Sequence, residues 1–160
     1  MFRTAILTAA AAAMLAFTAA PTLAGPAETA FLQKLTNTWS GKGTLRGADT
    51  GPIACKLVIS AGQTNAKYQG RCAIPDMAQQ AFSGSITYND KLKRYESRSA
   101  GGVVPGVRRG DKLVFTTTNR NIRGTAYSTM TMSANSLTVD FAIVDGKTGE
   151  KTTARITFSK

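Results

Sequence analysis

The sequence contains no histidine, and this absence excludes several common catalytic and metal-binding arrangements. Ser-His-Asp and Cys-His nucleophile sets both need an imidazole base, and the H-E-x-x-H zinc site needs imidazole ligands. The composition therefore argues against hydrolases and zinc enzymes of these kinds.

Cysteine is nearly as scarce, with only Cys55 and Cys72 present. The two lack a C-x-x-C spacing and a histidine partner, so a redox centre or a thiolate metal site is not favoured. A single pair suits one disulfide in an oxidising compartment. The closed loop would restrict the unfolded chain and contribute about 3 kcal/mol to stability.

Acidic residues are few: nine Asp and Glu stand against twenty Lys and Arg, for a formal net charge of +11. This excess favours anionic lipid head groups, acidic proteins or nucleic acid as partners, although a basic surface also serves solubility. Formal candidates for a glycosidase carboxylate pair are Glu96, Asp111, Asp140 and Asp145. No pattern brings two of them together, and Asp140 alternates with apolar neighbours, which predicts that it faces water. We therefore expect a non-enzymatic protein without a cofactor.

Long apolar runs are also missing, apart from residues 5–19. That run is shorter than the ~20 apolar residues that a membrane-spanning helix needs. With Arg3 before it and small residues around Ala24, it predicts a signal peptide over residues 1–24, cleaved after Ala24. Residues 25–160 then form a single domain of net charge +10, because Arg3 is lost, destined for the periplasm or for secretion. No cysteine stands at the cleavage point, so no lipid anchor is expected.

Residues 53–74 predict a β-hairpin whose register can be checked by a disulfide. Gly62 and Asn65 indicate a turn between the two arms. Folding the arms about this turn places Cys55 opposite Cys72. The same register sorts the side chains, with Leu57 opposite Gly70 and Ile59 opposite Tyr68 on the cysteine face, and Lys56, Val58, Lys67, Gln69 and Arg71 on the other.

The remaining pattern predicts an all-β domain preceded by one short helix over residues 26–35. Apolar and polar residues alternate in short segments separated by Gly-, Asn- and Asp-containing turns, which indicates about eight or nine strands. Residues 99–106 contain three glycines and a proline and are expected to form a loop or a strongly bent edge strand. Short turns between consecutive strands favour an antiparallel up-and-down barrel over a sandwich.

The stretch L-T-N-T-W-S-G-K-G, which follows the predicted helix, resembles the opening of small lipocalin-like, calycin-type barrels. Those families often carry G-x-W there, with the tryptophan closing the base of the barrel; here Trp39 is present and Asn37 replaces the glycine. The runs F-S-G-S-I-T-Y-N and G-D-K-L-V-F-T are similar to the meander of bacterial members. The resemblance implies a barrel around an apolar cavity that binds small hydrophobic molecules.

Two groups within this resemblance lead to different expectations. The nitrobindin-like barrels hold haem through a histidine, which this chain lacks, so that chemistry is not carried over. The periplasmic barrels that inhibit secreted metalloproteases have a tryptophan near the first strand and one disulfide, an outline that Trp39, Cys55 and Cys72 match. In those inhibitors an N-terminal arm reaches into the protease, and residues 25–29 occupy the corresponding place. A protease-inhibitor module is therefore the alternative to a ligand-binding barrel.

Candidate interior residues are the aromatic and methionine side chains on predicted inward faces. Met130 and Met132 share one face and could form a soft ligand pair, but filling of the barrel is the favoured interpretation. The same choice between core and cavity lining applies to the aromatic candidates. The predicted interior ligand-binding set is Trp39, Tyr68, Phe82, Tyr88, Met130 and Met132.

Candidate rim residues come from residues 91–123, which hold nine basic and two acidic residues. Arginines near strand ends of a meander should in part cluster at one rim, where their planar groups suit carboxylate or phosphate. A solvated charged face is the alternative. The predicted rim set is Arg94, Arg98, Arg108, Arg109, Arg120 and Arg123. The expected ligand is small and hydrophobic or amphipathic and anionic, with an anionic envelope lipid or an acidic protein as other partners; nucleic acid is not expected of an exported protein.

Overall fold

The computed structural model describes residues 25–74 and 79–160; the predicted signal peptide and its cleavage site after Ala24 lie outside these ranges. One helix precedes ten strands in the described chain. The elements are α1 (Pro26–Lys34), β1 (Asn37–Gly47), β2 (Gly51–Ala61), β3 (Asn65–Ala73), β4 (Gln80–Asn89), β5 (Arg94–Ser99), β6 (Gly102–Arg109), β7 (Lys112–Asn121), β8 (Gly124–Met132), β9 (Leu137–Asp145) and β10 (Lys151–Ser159).

The strands form a closed antiparallel barrel in which each pairs with its neighbours in the chain and β1 pairs with β10. The predicted all-β up-and-down architecture with one short N-terminal helix is confirmed. Because the barrel is closed, unpaired strand edges are exposed only where neighbouring strands differ in length or separate. No described helix has the length and apolarity required to cross a bilayer.

The barrel has ten strands rather than eight or nine, because part of the segment expected to be a loop or a strongly bent edge strand forms β6, which pairs with a strand on each side. Gly102 adopts a φ of +113°, which lets the chain turn sharply out of β5. Pro105 lacks a backbone N–H, yet it sits where β6 pairs with β5 and where pairing with β7 has not begun. A proline is tolerated at such a position because fewer ladder hydrogen bonds are lost.

The β2–β3 hairpin has the predicted register. Cys55 pairs with Cys72, and the flanking pairs place Leu57 opposite Gly70 and Ile59 opposite Tyr68. The two cysteines form a disulfide with a Cα–Cα distance of 4.1 Å. The predicted polar face is exposed along both arms. Side-chain alternation and the covalent link therefore agree on one alignment of these strands.

Aromatic rings lie over glycines of neighbouring strands inside the barrel. A Cβ built on Gly106 would come within 2.5 Å of the Phe115 ring, so the ring occupies the space that a side chain at residue 106 would need. Such pairs let large side chains fill the barrel without overpacking it. The directly opposed pairs of this kind are Gly41–Phe158, Gly70–Phe82, Gly84–Tyr68 and Gly106–Phe115.

Helix α1 begins at Pro26 and covers one end of the barrel, where it lies against β2, β3 and β4. Phe31 and Leu32 are buried beneath it. The centres of the Phe31 and Tyr95 rings lie 5.5 Å apart. The guanidinium of Arg108 lies 4.2 Å from the centre of the Phe31 ring and makes a cation–π contact with it. These contacts hold α1 against this end of the barrel.

Candidate functional site

Among residues 25–74 and 79–160, a helix covers one end of the barrel and none covers the other; we call these the closed end and the open end. The closed end is the one that α1 covers, where odd-numbered strands begin and even-numbered strands end. Inward side chains in this half are packed out of contact with water. The large side chains that are fully buried in this half, each about 2 % exposed or less, are Trp39, Ile59, Ile86, Leu113, Met132 and Leu137.

In the open half some inward-facing apolar side chains reach water, whereas Leu45 of β1 and Ile53 of β2 stay buried. Phe82 is 39 % exposed and Ile143 is 44 % exposed. Val104 and Phe141 lie deeper and are half-buried against the core. We call the inner face of this half the cup, because water reaches Phe82 and Ile143 there.

Polar side chains share the inner face of the open half with the apolar ones, among them Thr117 and Asn119 of β7 and Ser128 of β8. The Tyr68 hydroxyl lies 3.0 Å from the Ser97 hydroxyl, so the two satisfy each other within the wall. On the β1–β2 side, the Thr152 hydroxyl donates to the Asp49 carboxylate at 3.1 Å and accepts from the Asp49 backbone N–H at 3.1 Å. The β1–β2 loop therefore covers that side of the mouth. Exposed apolar side chains beside placed polar groups are typical of sites for small molecules.

The wall on the opposite side is less complete, because β5 is shorter than β4 and because β6, which begins at Gly102, pairs with β7 only from Gly106 onward. The β4–β5 register ends at Gly84 and Ser99, and the β6–β7 register ends at Gly106 and Phe115. Strand β7 nevertheless continues to Asn121, paired with β8 on its other side.

This arrangement leaves what we call the side notch, with the β5–β6 turn at residues 99–102 as its floor. Residues 81–83 of β4 extend beyond that turn on one side, and residues 116–121 of β7 have no paired partner in β6 on the other. Phe82 borders the notch, and its exposure follows from this position. The cup therefore opens both at the mouth and through the wall.

Three of the predicted interior residues lie in the closed half. Trp39 and Met132 are 1 % and 2 % exposed and belong to the packed core. Tyr88 packs edge-on against Tyr95, with ring centres 5.0 Å apart. The remaining three, Tyr68, Phe82 and Met130, lie beside the cup or at mid-height, and their contact with a ligand stays a prediction.

The six predicted rim arginines lie in three places rather than at one rim. Arg94, Arg108 and Arg109 are at the closed end, Arg120 and Arg123 are at the open end, and Arg98 is on the outer face of β5. The physical reason is β6: as a strand, residues 102–109 carry the chain from the open end back to the closed end. Only Arg120 and Arg123 stand at the mouth of the cup.

Arg94 and Arg98 are engaged with the buried carboxylate of Glu96, which is 2 % exposed. Arg94 donates from Nε and Nη2 to Oε1 at 3.1 Å, Arg98 donates to Oε2 at 2.6 Å, and the Asn89 amide donates to Oε1 at 3.2 Å. Burial acts to raise the pKa of Glu96, but the hydrogen bonds from Arg94 and Asn89 and the charge of Arg98 bring it below its usual value. This cluster is a structural element of the β4–β5 wall.

Within residues 25–74 and 79–160, no group of three or more Cys, Asp and Glu side chains could hold a metal ion. Met130 and Met132 do share an inward face, but Met132 is buried at the closed end. Asp140 faces outward as expected and pairs with Arg155, 2.6 Å from Nε to Oδ1.

Sequence reasoning missed the residues that border the cup most closely, Val104, Phe141 and Ile143. Val104 lies in the segment expected to be a loop or a strongly bent edge strand. Phe141 and Ile143 share the inward face of β9 with Val139, so extending the alternation along β9 could have identified them.

The predicted inhibitor arm, residues 25–29, is largely helical, since α1 begins at Pro26. Phe31 and Leu32 anchor this helix on the barrel. The inhibitor alternative stays a prediction.

The chain has the fold of the calycin-like barrels. It is similar to the crystal structure of Rv2717c from M. tuberculosis, with a TM-score of 0.56 and 11% identity over 85% of this chain and 98% of that chain. It is also similar to the S-type phycobiliprotein lyase CPES from Guillardia theta, with a TM-score of 0.55 and 10% identity over 82% of this chain and 90% of that chain. No protein-family model and no curated protein sequence matches the chain. At these identities the likeness concerns the fold.

Proposed function

We propose that this is an exported, non-enzymatic binding protein whose cup takes a small amphipathic, anionic molecule. The apolar part of the ligand would lie against Phe82, Phe141 and Ile143. Its anionic group would stay at the mouth, near Arg120 and Arg123. The observation that carries the proposal is the exposure of Phe82 and Ile143, 39 % and 44 %, on the inner face of the barrel.

Barrel size supports this proposal. Eight-stranded barrels are just wide enough to be filled by side chains or to hold one small ligand, and diameter grows with strand number. Ten strands enclose more space, and most of the fully buried large side chains lie in the closed half. The disulfide is consistent with an oxidising, extracytoplasmic location. The calycin-like fold is consistent with a ligand-binding barrel.

The test compares two tryptophan substitutions on the same strand. Val104→Trp puts an indole into the cup, whereas Val107→Trp puts one on the outer face of β6, where Val107 is 57 % exposed. We expect Val104→Trp to weaken binding of dodecanoate at least about tenfold and Val107→Trp to leave it unchanged. Displacement of the fluorescent dye anilinonaphthalene sulfonate measures both dissociation constants.

A second matched pair covers the case in which Val104→Trp does not fold. Thr117→Trp places the indole on the inner face of β7 beside the side notch, and Thr118→Trp places it on the outer face. Equal dodecanoate binding by the inner and outer variants of a folded pair, or no binding by the unchanged protein, would contradict the proposal.

A further inference from the structure

A second concave surface lies on the outside of the barrel, formed by β8, β9, β10 and β1, with a volume of about 730 Å³. Outward side chains on these strands stand side by side because the strands are in register. One cross-strand row consists of Tyr127, Ala142, Thr153 and Arg46. Tyr127 is 42 % exposed, so its ring is available at one side of this surface.

The neighbouring row, toward the closed end, consists of Thr129, Asp140, Arg155 and Thr44. Asp140 and Arg155 form an ion pair at its centre, with side chains 42 % and 72 % exposed. Asp140 is the one carboxylate lining the concavity, and Arg155 neutralises it. The lining as a whole is positive, because Arg46 has no such acidic neighbour among the lining residues.

We propose that this outer face binds an acidic carbohydrate chain. Threonine hydroxyls both donate and accept hydrogen bonds, as sugar hydroxyls do, and the exposed ion pair presents further donors and acceptors. The Tyr127 ring offers a flat apolar surface with a polar tip for the C–H face of a sugar ring. Arg46 suits a carboxylate or phosphate on the chain. A volume of 730 Å³ lies within the range of ~300–1,000 Å³ that small-molecule sites usually have.

Most of the residues that line this face carry side chains on the outside of the barrel wall, and the lining also includes Phe141, whose side chain lies on the inner face of β9. The outward rows are mainly polar, which sets their ligand class apart from the amphipathic molecule proposed for the interior. The two sites can therefore be tested independently with the same set of variants.

The experiment is calorimetric titration of the full mature chain with an oligogalacturonate of defined length, at ~0.15 M ionic strength to screen long-range attraction. We expect Tyr127→Ala to weaken binding about tenfold and Tyr127→Phe to retain most of it. Because Tyr127 is exposed, neither substitution should impair folding. Arg46→Gln should weaken binding about threefold to tenfold.

The matched control is Arg71→Gln, which removes an exposed arginine from the outer face of β3. We expect this variant to bind like the unchanged protein, and Val104→Trp to bind the oligogalacturonate normally as well. Equal losses in Arg46→Gln and Arg71→Gln would show attraction by net charge alone and overturn the site. No binding to the oligogalacturonate, or equal binding to a neutral dextran oligomer of the same length, would overturn it too.

Discussion

At the scale of single residues, Glu96 supplies the negative charge that two arginines of the same strand share. Removing it would leave Arg94 and Arg98 beside each other without a counter-charge. Breaking a buried pair by removing one partner is costly, because the remaining charge is left without compensation. Asp140 forms an ion pair with Arg155 on the exposed surface, where water screens the two charges. This pair therefore contributes little to the free energy of unfolding.

We therefore expect Glu96→Gln to lower the melting temperature and the isosteric Asp140→Asn to change it little. The pKa of Glu96 is lower in the folded than in the unfolded chain. Its contribution is then present above the ordinary glutamate pKa and is lost as pH falls through the folded value. Melting curves from neutral to acid pH should show the unchanged protein converging toward the Glu96→Gln variant below about pH 4. A constant difference at all pH values would refute this account of Glu96.

Also at the residue scale, Arg120 and Arg123 are the predicted rim arginines that stand at the mouth of the cup. We expect the double substitution Arg120→Gln with Arg123→Gln to weaken binding of dodecanoate about threefold to tenfold and to leave the uncharged dodecanol unaffected. The matched control is Arg109→Gln with Lys112→Gln at the closed end, which should change neither affinity. Equal effects of the two double variants would place the anionic group elsewhere.

At the scale of elements, the β2–β3 hairpin could be derived from the sequence and β6 could not. In the hairpin, side-chain alternation and the cysteine positions are independent constraints that select the same register. In β6, glycine and proline dominate the local signal, whereas strand formation depends on pairing with β5. The prediction of the arginine rim was affected as well, because the course of β6 decides at which end of the barrel Arg108 and Arg109 lie.

The hairpin also carries the element-scale prediction. Cys55 and Cys72 are separated by 17 positions, and a loop of this length is expected to contribute about 3 kcal/mol. The double variant Cys55→Ser with Cys72→Ser should lose about that amount of unfolding free energy in urea titration, while the register keeps the fold. Alkylation of both thiols in the unreduced, unchanged protein would show instead that the bond is not formed.

At the scale of the whole molecule, the division into a packed half and an open cup could be anticipated only in part. Alternation identified most inward residues, but burial depends on where each strand ends relative to α1. The side notch depends on β5 and β6 being shorter than β4 and β7, and segment lengths at that precision come from tertiary pairing. The sequence therefore predicts the barrel better than it predicts the site.

The most direct test of the proposed binding function is a titration of isotope-labelled protein with dodecanoate, followed by backbone and methyl NMR shifts. We expect shifts confined to the cup and the side notch, including Val104, Thr117 and Ile143, with Leu113 and Leu137 at the closed end unchanged. Shifts spread over the outer surface, or no shifts at saturating ligand, would contradict the account that the open half of the barrel is a binding site.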